Sequence, residues 1–347
     1  MRILQVITLC ELGGAQSVVI NIANKLCENH EVMVVAGEGD GKMFESLDSR
    51  IKKGRIPSLV RKLSPLDEIK TIFAMKRIYR EYKPDIIHLH SSKAGLLGRL
   101  AFPKGKTIYT VHGFDSIRLA YRKFLPLEKL LQNRCAAIVG VSKYDENNLK
   151  NEGISQNVST VYNGIYQPPH LESDPFEKFN RYKHKILCIA RLSPPKNHKL
   201  FIEVAAKLPE CAFIWIGNQN IPDFSFPENV FFIGNISGAG SYTEYADLFF
   251  LPSNYEGLPM VIIESLSMGT PVIASSVGGI TELLNVKNGC AVENDAEKMT
   301  SEIKKYLSLS NEEKSAMSNN AIMTYQKHFT VDKMVSGYLE IYNEICK

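Results

Sequence analysis

Two glutamates separated by seven residues, Glu256 and Glu264 in NYEGLPMVIIESLSMGTPVIASS (residues 254–276), carry the first chemical signal. Glu264 sits inside VIIESL, an apolar run of the kind a globular protein buries, and an ionised carboxylate there costs several kcal/mol unless it is paired or hydrogen-bonded. One account is a salt bridge to a neighbouring strand. The account these residue types favour is a ligand that brings a pair of hydroxyls to the carboxylate. Pro259 fits the first position of a helix, where its missing N–H costs nothing. Met260, Val261 and Ile262 would then present unpaired N–H groups, an arrangement that attracts phosphate. Glu256 would lie in the loop before that helix, and Glu264 about one turn inside it. A capping box between Ser253 and Glu256 also fits Ser-x-x-Glu spacing, but it would force Gly257 and Pro259 into the first turns.

In IARLSPPKNH, Arg191 follows the apolar stretch KILCIA and Lys196 comes five residues later, beyond two prolines. Two cations at the carboxyl end of a strand can neutralise a diphosphate from one side while the Pro259 helix caps it from another. Solvated surface charges are the alternative, more so for Lys196 than for Arg191. Near the start, LCELGGAQS has adjacent glycines and no G-x-G-x-x-G, so a bound dinucleotide is not supported. Gly13 and Gly14 either let backbone approach a ligand closely or make a tight turn. His112 closes TIYTVH ahead of Gly-Phe-Asp, at a strand end rather than on an apolar face; a structural histidine is the alternative. His88 and His90 alternate on one strand and would share a face. With no third ligand nearby, such a pair reads as structural rather than metal-binding.

The elements that must position these residues read as two wound sheets. Short Val- and Ile-rich runs alternate with stretches of helical period, the signature of parallel strands covered by helices. RILQVITL, HEVMVVAG, PDIIHLH, KTIYTVH, AAIVGVS and NVSTVY are the strands of the front half; KHKILCIAR, CAFIWIGN, NVFFIGN, ADLFFLP and TPVIASS those of the back half. The length of 347 residues suits two domains. The expected division is 1–166, completed by a C-terminal helix at 330–347; a proline-rich linker at 167–183; and a second domain at 184–329. Open α/β sheets bind ligands at the carboxyl ends of their strands, so two such domains are expected to face a central cleft.

Apolar and charged fractions of 44% and 22% are those of a globular protein, and no apolar run is long enough for a membrane span. MRILQVITLC reads as a first buried strand rather than a signal peptide. Seven scattered cysteines without a CxxC pair suit reduced thiols, not a disulfide framework or zinc site. Charge is divided: residues 1–167 hold 25 Lys and Arg against 16 Asp and Glu, and the remainder holds 16 against 21.

Taken in order, LGGAQ after the first strand, TVHG, R-x4-K, the E-x7-E element EGLPMVIIE, NGI at 163–165 and SSVGGITELL resemble retaining glycosyltransferases of family 4 with the GT-B fold, over essentially the whole chain. The resemblance implies that Glu264 holds the ribose hydroxyls of a nucleotide sugar. Arg191, Lys196 and the main-chain N–H groups of Met260 and Val261 would hold its diphosphate. Glu256 and His112 would bind hydroxyls of the transferred sugar, with Gly257 and Leu258 also against the donor. Gly14 would let the first loop approach donor phosphates or acceptor, main chain near Gly217 and Ile236 would meet the base, and Gly13, Lys93 and His112 would face the acceptor. His112, Glu256, Arg191 and Lys196 are the catalytic set so implied. Two departures stand out: Lys196-Asn197 where the family often has Lys-Gly, and Gly217-Asn218-Gln219 where it has Gly-Asp-Gly. No Asp-x-Asp occurs, so the usual carboxylate arrangement for Mg²⁺ or Mn²⁺ on a sugar nucleotide is missing and no metal cofactor is expected.

The implied reaction transfers a hexosyl or N-acetylhexosaminyl group, from a UDP-sugar rather than a GDP-sugar, to a glycan or polyprenyl-diphosphate-linked acceptor in bacterial surface polysaccharide synthesis. The acceptor is expected on the basic front domain. Residues 50–63 (RIKKGRIPSLVRKL) and 118–134 (RLAYRKFLPLEKLLQNR) mix cations with Leu, Phe and Tyr, as surfaces touching anionic headgroups do, although solvated basic helices read the same way. A cytoplasmic protein, peripheral on the inner membrane face, follows. A non-catalytic partner subunit and a sugar-nucleotide epimerase on the same scaffold are the rival readings. Nucleic-acid binding is not expected, since no exposed aromatic platform interleaves with the basic residues.

Overall fold

A computed structural model describes all 347 residues, which form two compact units: Met1–Gly164 with Val331–Lys347, and Ile165–Thr330. The first unit carries β1 (Arg2–Leu9), β2 (Glu31–Glu38), β3 (Lys52–Arg55), β4 (Ile86–His90), β5 (Thr107–Val111), β6 (Ala137–Gly140) and β7 (Val158–Thr160). Between them run α1 (Gly14–Leu26), α2 (Lys42–Glu45), α3 (Pro65–Tyr82), α4 (Ser92–Ala101), α5 (Leu125–Leu131) and α6 (Lys143–Asn151). All seven strands are parallel, in the order β3-β2-β1-β4-β5-β6-β7. β4 and β5 are buried along their whole length, which is why they read as continuous apolar runs broken only by polar residues with internal partners.

The second unit carries β8 (His184–Ile189), β9 (Cys211–Ile216), β10 (Val230–Phe232), β11 (Leu248–Leu251), β12 (Val272–Ser275) and β13 (Gly289–Val292), again all parallel, in the order β10-β9-β8-β11-β12-β13. Its helices are α7 (His198–Ala206), α8 (Met260–Ser267), α9 (Ile280–Leu283), α10 (Ala296–Leu307) and α11 (Asn311–His328). The chain then returns to the first unit in α12 (Val331–Ile345), whose Tyr338 and Tyr342 are fully buried there. Ile165 and Thr330, the first and last residues of the second unit, form an isolated parallel bridge, and the Ile165 N–H donates to the Phe329 carbonyl at 3.0 Å.

The two doubly wound sheets match the fold expected from the sequence. Two strands escaped that reading. β3 is KKGR, an edge strand without an apolar side chain, and such lysine-rich edges are how sheets avoid pairing with another chain. β13 is the short stretch GCAV. The stretch at 167–183, expected to be a linker, lies within the second unit: Phe176 and Phe179 are buried, and the Phe179 ring sits 4.5 Å from that of Phe231. Proline suppresses regular structure there without keeping the two aromatics out of the core.

Candidate active site

In the second unit the strand order reverses between β8 and β11, the switch point at which doubly wound sheets bind ligands. Both cations and both glutamates lie on segments that follow these two strands. Arg191 comes one residue after Ala190, at the end of β8, and its exposed guanidinium makes no hydrogen bond or ion pair within the protein. Lys196 ends the short 3-10 turn Pro194–Lys196, and its ammonium lies against the Glu256 carboxylate. Ser253 Oγ donates to the same carboxylate at 2.8 Å. The Ser253–Glu256 spacing therefore makes a side-chain contact in a loop, not a helix cap.

That loop is clamped from behind. A Cβ at Gly278, where φ is +58°, would fall 1.9 Å from the Glu256 carbonyl oxygen, and the Gly279 N–H donates to the Gly257 carbonyl at 2.8 Å. Only glycine at 278 lets the SSVGGITELL segment approach so closely.

α8 begins one residue later than the sequence suggests: Pro259 is its N-cap, extended at φ −70° and ψ 120°, and Met260 is the first helical residue. The Ile262 N–H, expected to be open, donates to the Pro259 carbonyl at 3.2 Å. The N–H groups of Met260 and Val261 have no acceptor in the protein and remain available at the positive end of the helix.

Glu264, one turn further on, is partly buried and has no cation or hydrogen-bond donor from the protein. Burial alone pushes its carboxyl up to about 7. The neighbouring-strand salt bridge is thus absent. Facing the carboxylate is Gly240, in the 3-10 segment Ala239–Tyr245: a Cβ there would lie 3.0 Å from Glu264 Oε2 and 3.1 Å from Pro168 Cγ. Gly240 keeps open the space into which the carboxylate points. Sequence reasoning missed it; the only signal was a glycine-rich ISGAGSY.

The two departures from the family pattern have local explanations. Asn197 adopts a left-handed conformation (φ 31°, ψ 52°), which glycine takes freely and asparagine tolerates. Its side chain also caps α7 by accepting from the Leu200 N–H at 3.4 Å. Gly217, at φ +115°, sits where a Cβ would meet the Ala190 carbonyl at 2.4 Å, and the buried Asn218 accepts from the Gly234 N–H at 2.9 Å. Ile236 is partly buried in the loop after β10.

In the first unit, Gly13 is the extended N-cap of α1 and Gly14 its exposed first residue; a Cβ at Gly14 would touch nothing within 4 Å. Lys93, near the N-terminus of α4, is committed within the protein: its ammonium donates to the Lys62 carbonyl at 2.5 Å and pairs with Glu68 at 3.3 Å. An acceptor contact from Lys93 would have to displace those partners. His112 directly follows β5, with Nε2 3.0 Å from Nδ1 of His90. Burial holds His112 at about 4, so the ring is neutral near pH 7. His88 shares a strand face with His90, as the alternation implies, and is held by Tyr342 Oη and Thr110 Oγ1, each at 2.7 Å. Within the second unit the Arg191 guanidinium and the start of α8 can meet an anion and the Glu264 carboxylate a pair of hydroxyls; in the first unit the neutral His112 ring can meet an oxygen.

Comparison with known proteins gives the family. Residues 12–166 match Glycosyltransferase Family 4, and residues 172–323 match Glycosyl transferases group 1. An Escherichia coli O-antigen biosynthesis glycosyltransferase, WbnH, is 30% identical over 301 residues, spanning 83% of this chain and 85% of the relative. A second Escherichia coli protein, a UDP-Gal:alpha-D-GlcNAc-diphosphoundecaprenol alpha-1,3-galactosyltransferase, is 25% identical over 77% of this chain and 75% of its own. Among solved structures, Anabaena Alr3699/HepE in complex with UDP-glucose superposes with a TM-score of 0.84 at 20% identity, covering 99% of this chain and 100% of that one. With the GT-B fold shared along its length and a 30% identical relative spanning most of both sequences, this chain belongs to glycosyltransferase family 4.

Proposed function

We propose that this glycosyltransferase is retaining and needs no divalent metal, and that it moves a hexosyl or N-acetylhexosaminyl group from a UDP-sugar to a glycan carried on polyprenyl diphosphate. The names of the relatives support the donor and acceptor classes: one galactosyltransferase acts on a diphosphoundecaprenol-linked sugar, and Alr3699/HepE binds UDP-glucose. The observation that carries the donor assignment is Glu264, a partly buried carboxylate with no protein partner, one turn inside a helix whose first two N–H groups are open. Ribose hydroxyls donate to Glu264. The diphosphate accepts from the Met260 and Val261 N–H groups and from Arg191, and draws Lys196 away from Glu256. The released Glu256 carboxylate and His112 meet hydroxyls of the sugar.

As the bond from the anomeric carbon to the phosphate oxygen breaks, negative charge develops on the nucleoside diphosphate, and cations and helix N–H groups fixed in advance stabilise it. No carboxylate among the site residues is left over as a nucleophile, since Glu264 and Glu256 are both engaged with hydroxyls. The acceptor hydroxyl therefore attacks on the face the phosphate leaves, its oxygen bonding the anomeric carbon while its proton passes to the departing phosphate oxygen. The base contacts near Gly217 and Ile236 belong to the same proposal, as do the acceptor contact of Gly13 and the approach of the loop at Gly14 to donor phosphates or acceptor.

An anionic membrane surface is the proposed setting of the acceptor. Within residues 50–63, Ile51, Ile56 and Leu59 are core residues, so that stretch presents mainly its cations, with Pro57 and Leu63. α3 exposes Leu66, Ile69 and Phe73 (71%, 54% and 67%), one stripe at helical spacing beside Lys70 and Arg77. No helix is long and apolar enough to cross a membrane. The deciding experiment presents a panel of nucleotide sugars with a polyprenyl-diphosphate-linked glycan and follows release of nucleoside diphosphate and the anomeric configuration of the product. Acceptor-dependent UDP release with retention, unaffected by EDTA, is expected. Donor turnover without acceptor, or an inverted product, would overturn the reading.

A further inference from the structure

Behind His112 lies a row of polar groups that no part of the reaction just described uses. His88, His90, Thr110, Tyr338 and Tyr342 are all fully buried. β4 and β5 pair in register, His88 with Ile108 and His90 with Thr110, so His88, His90 and Thr110 project to the same face of the sheet. Tyr342 Oη meets His88 Nδ1 and Thr110 Oγ1 meets His88 Nε2, each at 2.7 Å, and Thr110 Oγ1 lies 3.2 Å from Tyr338 Oη. The His88 and His90 rings pack with centroids 3.9 Å apart, and the His90 and His112 rings stack at 5.3 Å with 24° between planes. The row ends at His90 Nδ1, 3.0 Å from His112 Nε2.

We infer that His90 is a positioning residue that fixes the tautomer of His112, so that His112 presents its Nδ1–H to the substrate as a hydrogen-bond donor. This rests on the reading of His112 as a sugar-contacting residue. The argument is one of proton accounting. Burial holds His90 well below the usual histidine range and His112 at about 4, so each ring carries one N–H near neutral pH. His90 Nε2 is buried and has no hydrogen-bond partner. A buried N–H without an acceptor is rarer and more costly than a lone pair without a donor. The His90 proton is therefore on Nδ1, where it donates to His112 Nε2. That nitrogen, as the acceptor, bears no proton, which leaves the His112 proton on Nδ1. His112 Nδ1 has no protein partner and, on a residue that stays partly exposed, is the ring nitrogen open to a ligand. An N–H in that position donates to a sugar or phosphate oxygen and cannot accept a proton from the attacking hydroxyl. His112 is thereby assigned binding of an oxygen rather than general-base work.

Ring-¹⁵N-labelled histidine in the full-length protein tests this directly. Long-range ¹⁵N–¹H spectra near pH 7, with the His112 signals identified by their loss in His112→Gln, should show a protonated Nδ1 and an unprotonated Nε2. A protonated Nε2 on His112 overturns the inference whatever the enzyme's activity. In His90→Phe, which keeps an apolar ring but removes the donor, the His112 pattern should shift toward Nε2–H and kcat should fall roughly 10-fold, with the Kd for UDP unchanged. His90→Asn, whose side-chain amide can donate from nearly the same place as Nδ1, should restore both. If His90→Phe does not fold, the wild-type spectrum and His90→Asn still decide. An Nδ1–H His112 whose replacement leaves turnover intact would refute the sugar-contact role of His112 while leaving the tautomer assignment standing.

Discussion

Lys196 and Glu256 hold each other: the ammonium assigned to the donor's diphosphate neutralises the carboxylate assigned to its sugar. Replacing Lys196 by Ala removes a phosphate cation and should lower kcat by roughly 10²- to 10³-fold. Glu256→Gln keeps the shape and the contact with Ser253 but releases the ammonium, so UDP should bind at least as tightly as to wild type while transfer is lost. Calorimetric titration with UDP beside a coupled UDP-release assay separates the two outcomes. Weaker UDP binding in Glu256→Gln would mean that the pair, not the free lysine, forms the phosphate site.

Donor affinity should depend on pH through Glu264. Its carboxyl sits at about 7 against an ordinary value of 4.5, raised by burial. The fold favours the neutral acid, so this group's contribution to stability is full below about pH 4.5 and is lost as the pH rises through about 7. Ribose hydroxyls favour the ionised form. UDP-sugar binding should therefore tighten from pH 6 to 8 and expel a proton at the lower end, seen as a buffer-dependent binding enthalpy. Glu264→Gln should abolish that dependence and weaken binding roughly 10- to 100-fold.

Gly240→Ala places a methyl group 3.0 Å from Glu264 Oε2. The carboxylate must give way by a few tenths of an ångström, and the space in front of it, proposed above for ribose, narrows. Affinity for UDP and UDP-sugars should fall roughly 10-fold with little change in melting temperature. An unchanged Kd would show that the ribose approaches Glu264 from another side.

Asn197 should respond to substitution in a characteristic order. Glycine keeps the left-handed backbone at no steric cost and loses only the cap, a few tenths of a kcal/mol. Alanine loses the cap and strains the backbone, together about 2 kcal/mol. Thermal melts of Asn197→Gly and Asn197→Ala give the comparison, and equal stabilities of the two would contradict the left-handed backbone at this position.

The α3 stripe should govern vesicle binding. Co-sedimentation with vesicles rich in anionic lipid should exceed that with neutral vesicles, fall as salt rises, and drop sharply in Leu66→Ser with Phe73→Ser. Turnover of a water-soluble acceptor analogue should survive the double substitution. Vesicle binding that ignores both charge and the serines would remove the membrane claim.

Much of this architecture was legible because its signals are local. Val- and Ile-rich runs marked eleven of the strands, since strands buried on both faces need no alternation to be recognised. Pro259 marked the start of α8 to within one residue because proline is tolerated there and nowhere deeper in a helix. What stayed hidden depends on contacts between distant segments. Gly240 stands opposite Glu264 only because the 3-10 segment after β10 packs against α8. His90 reaches His112 only because β4 and β5 are neighbours in the sheet. Phe176 and Phe179 looked like part of a connector since nothing in a proline-rich stretch announces which rings it will bury. Lys93 offered no clue that Glu68, on another helix, had already claimed its charge.

The bridge between Ile165 and Thr330 makes the second unit of the chain an insertion with its entrance and exit side by side. A segment whose two ends already touch can be cut out or exchanged without leaving a gap for the remainder to span. Ile165–Thr330 can therefore be exchanged as a cassette while the unit formed by Met1–Gly164 and Val331–Lys347 keeps its own core.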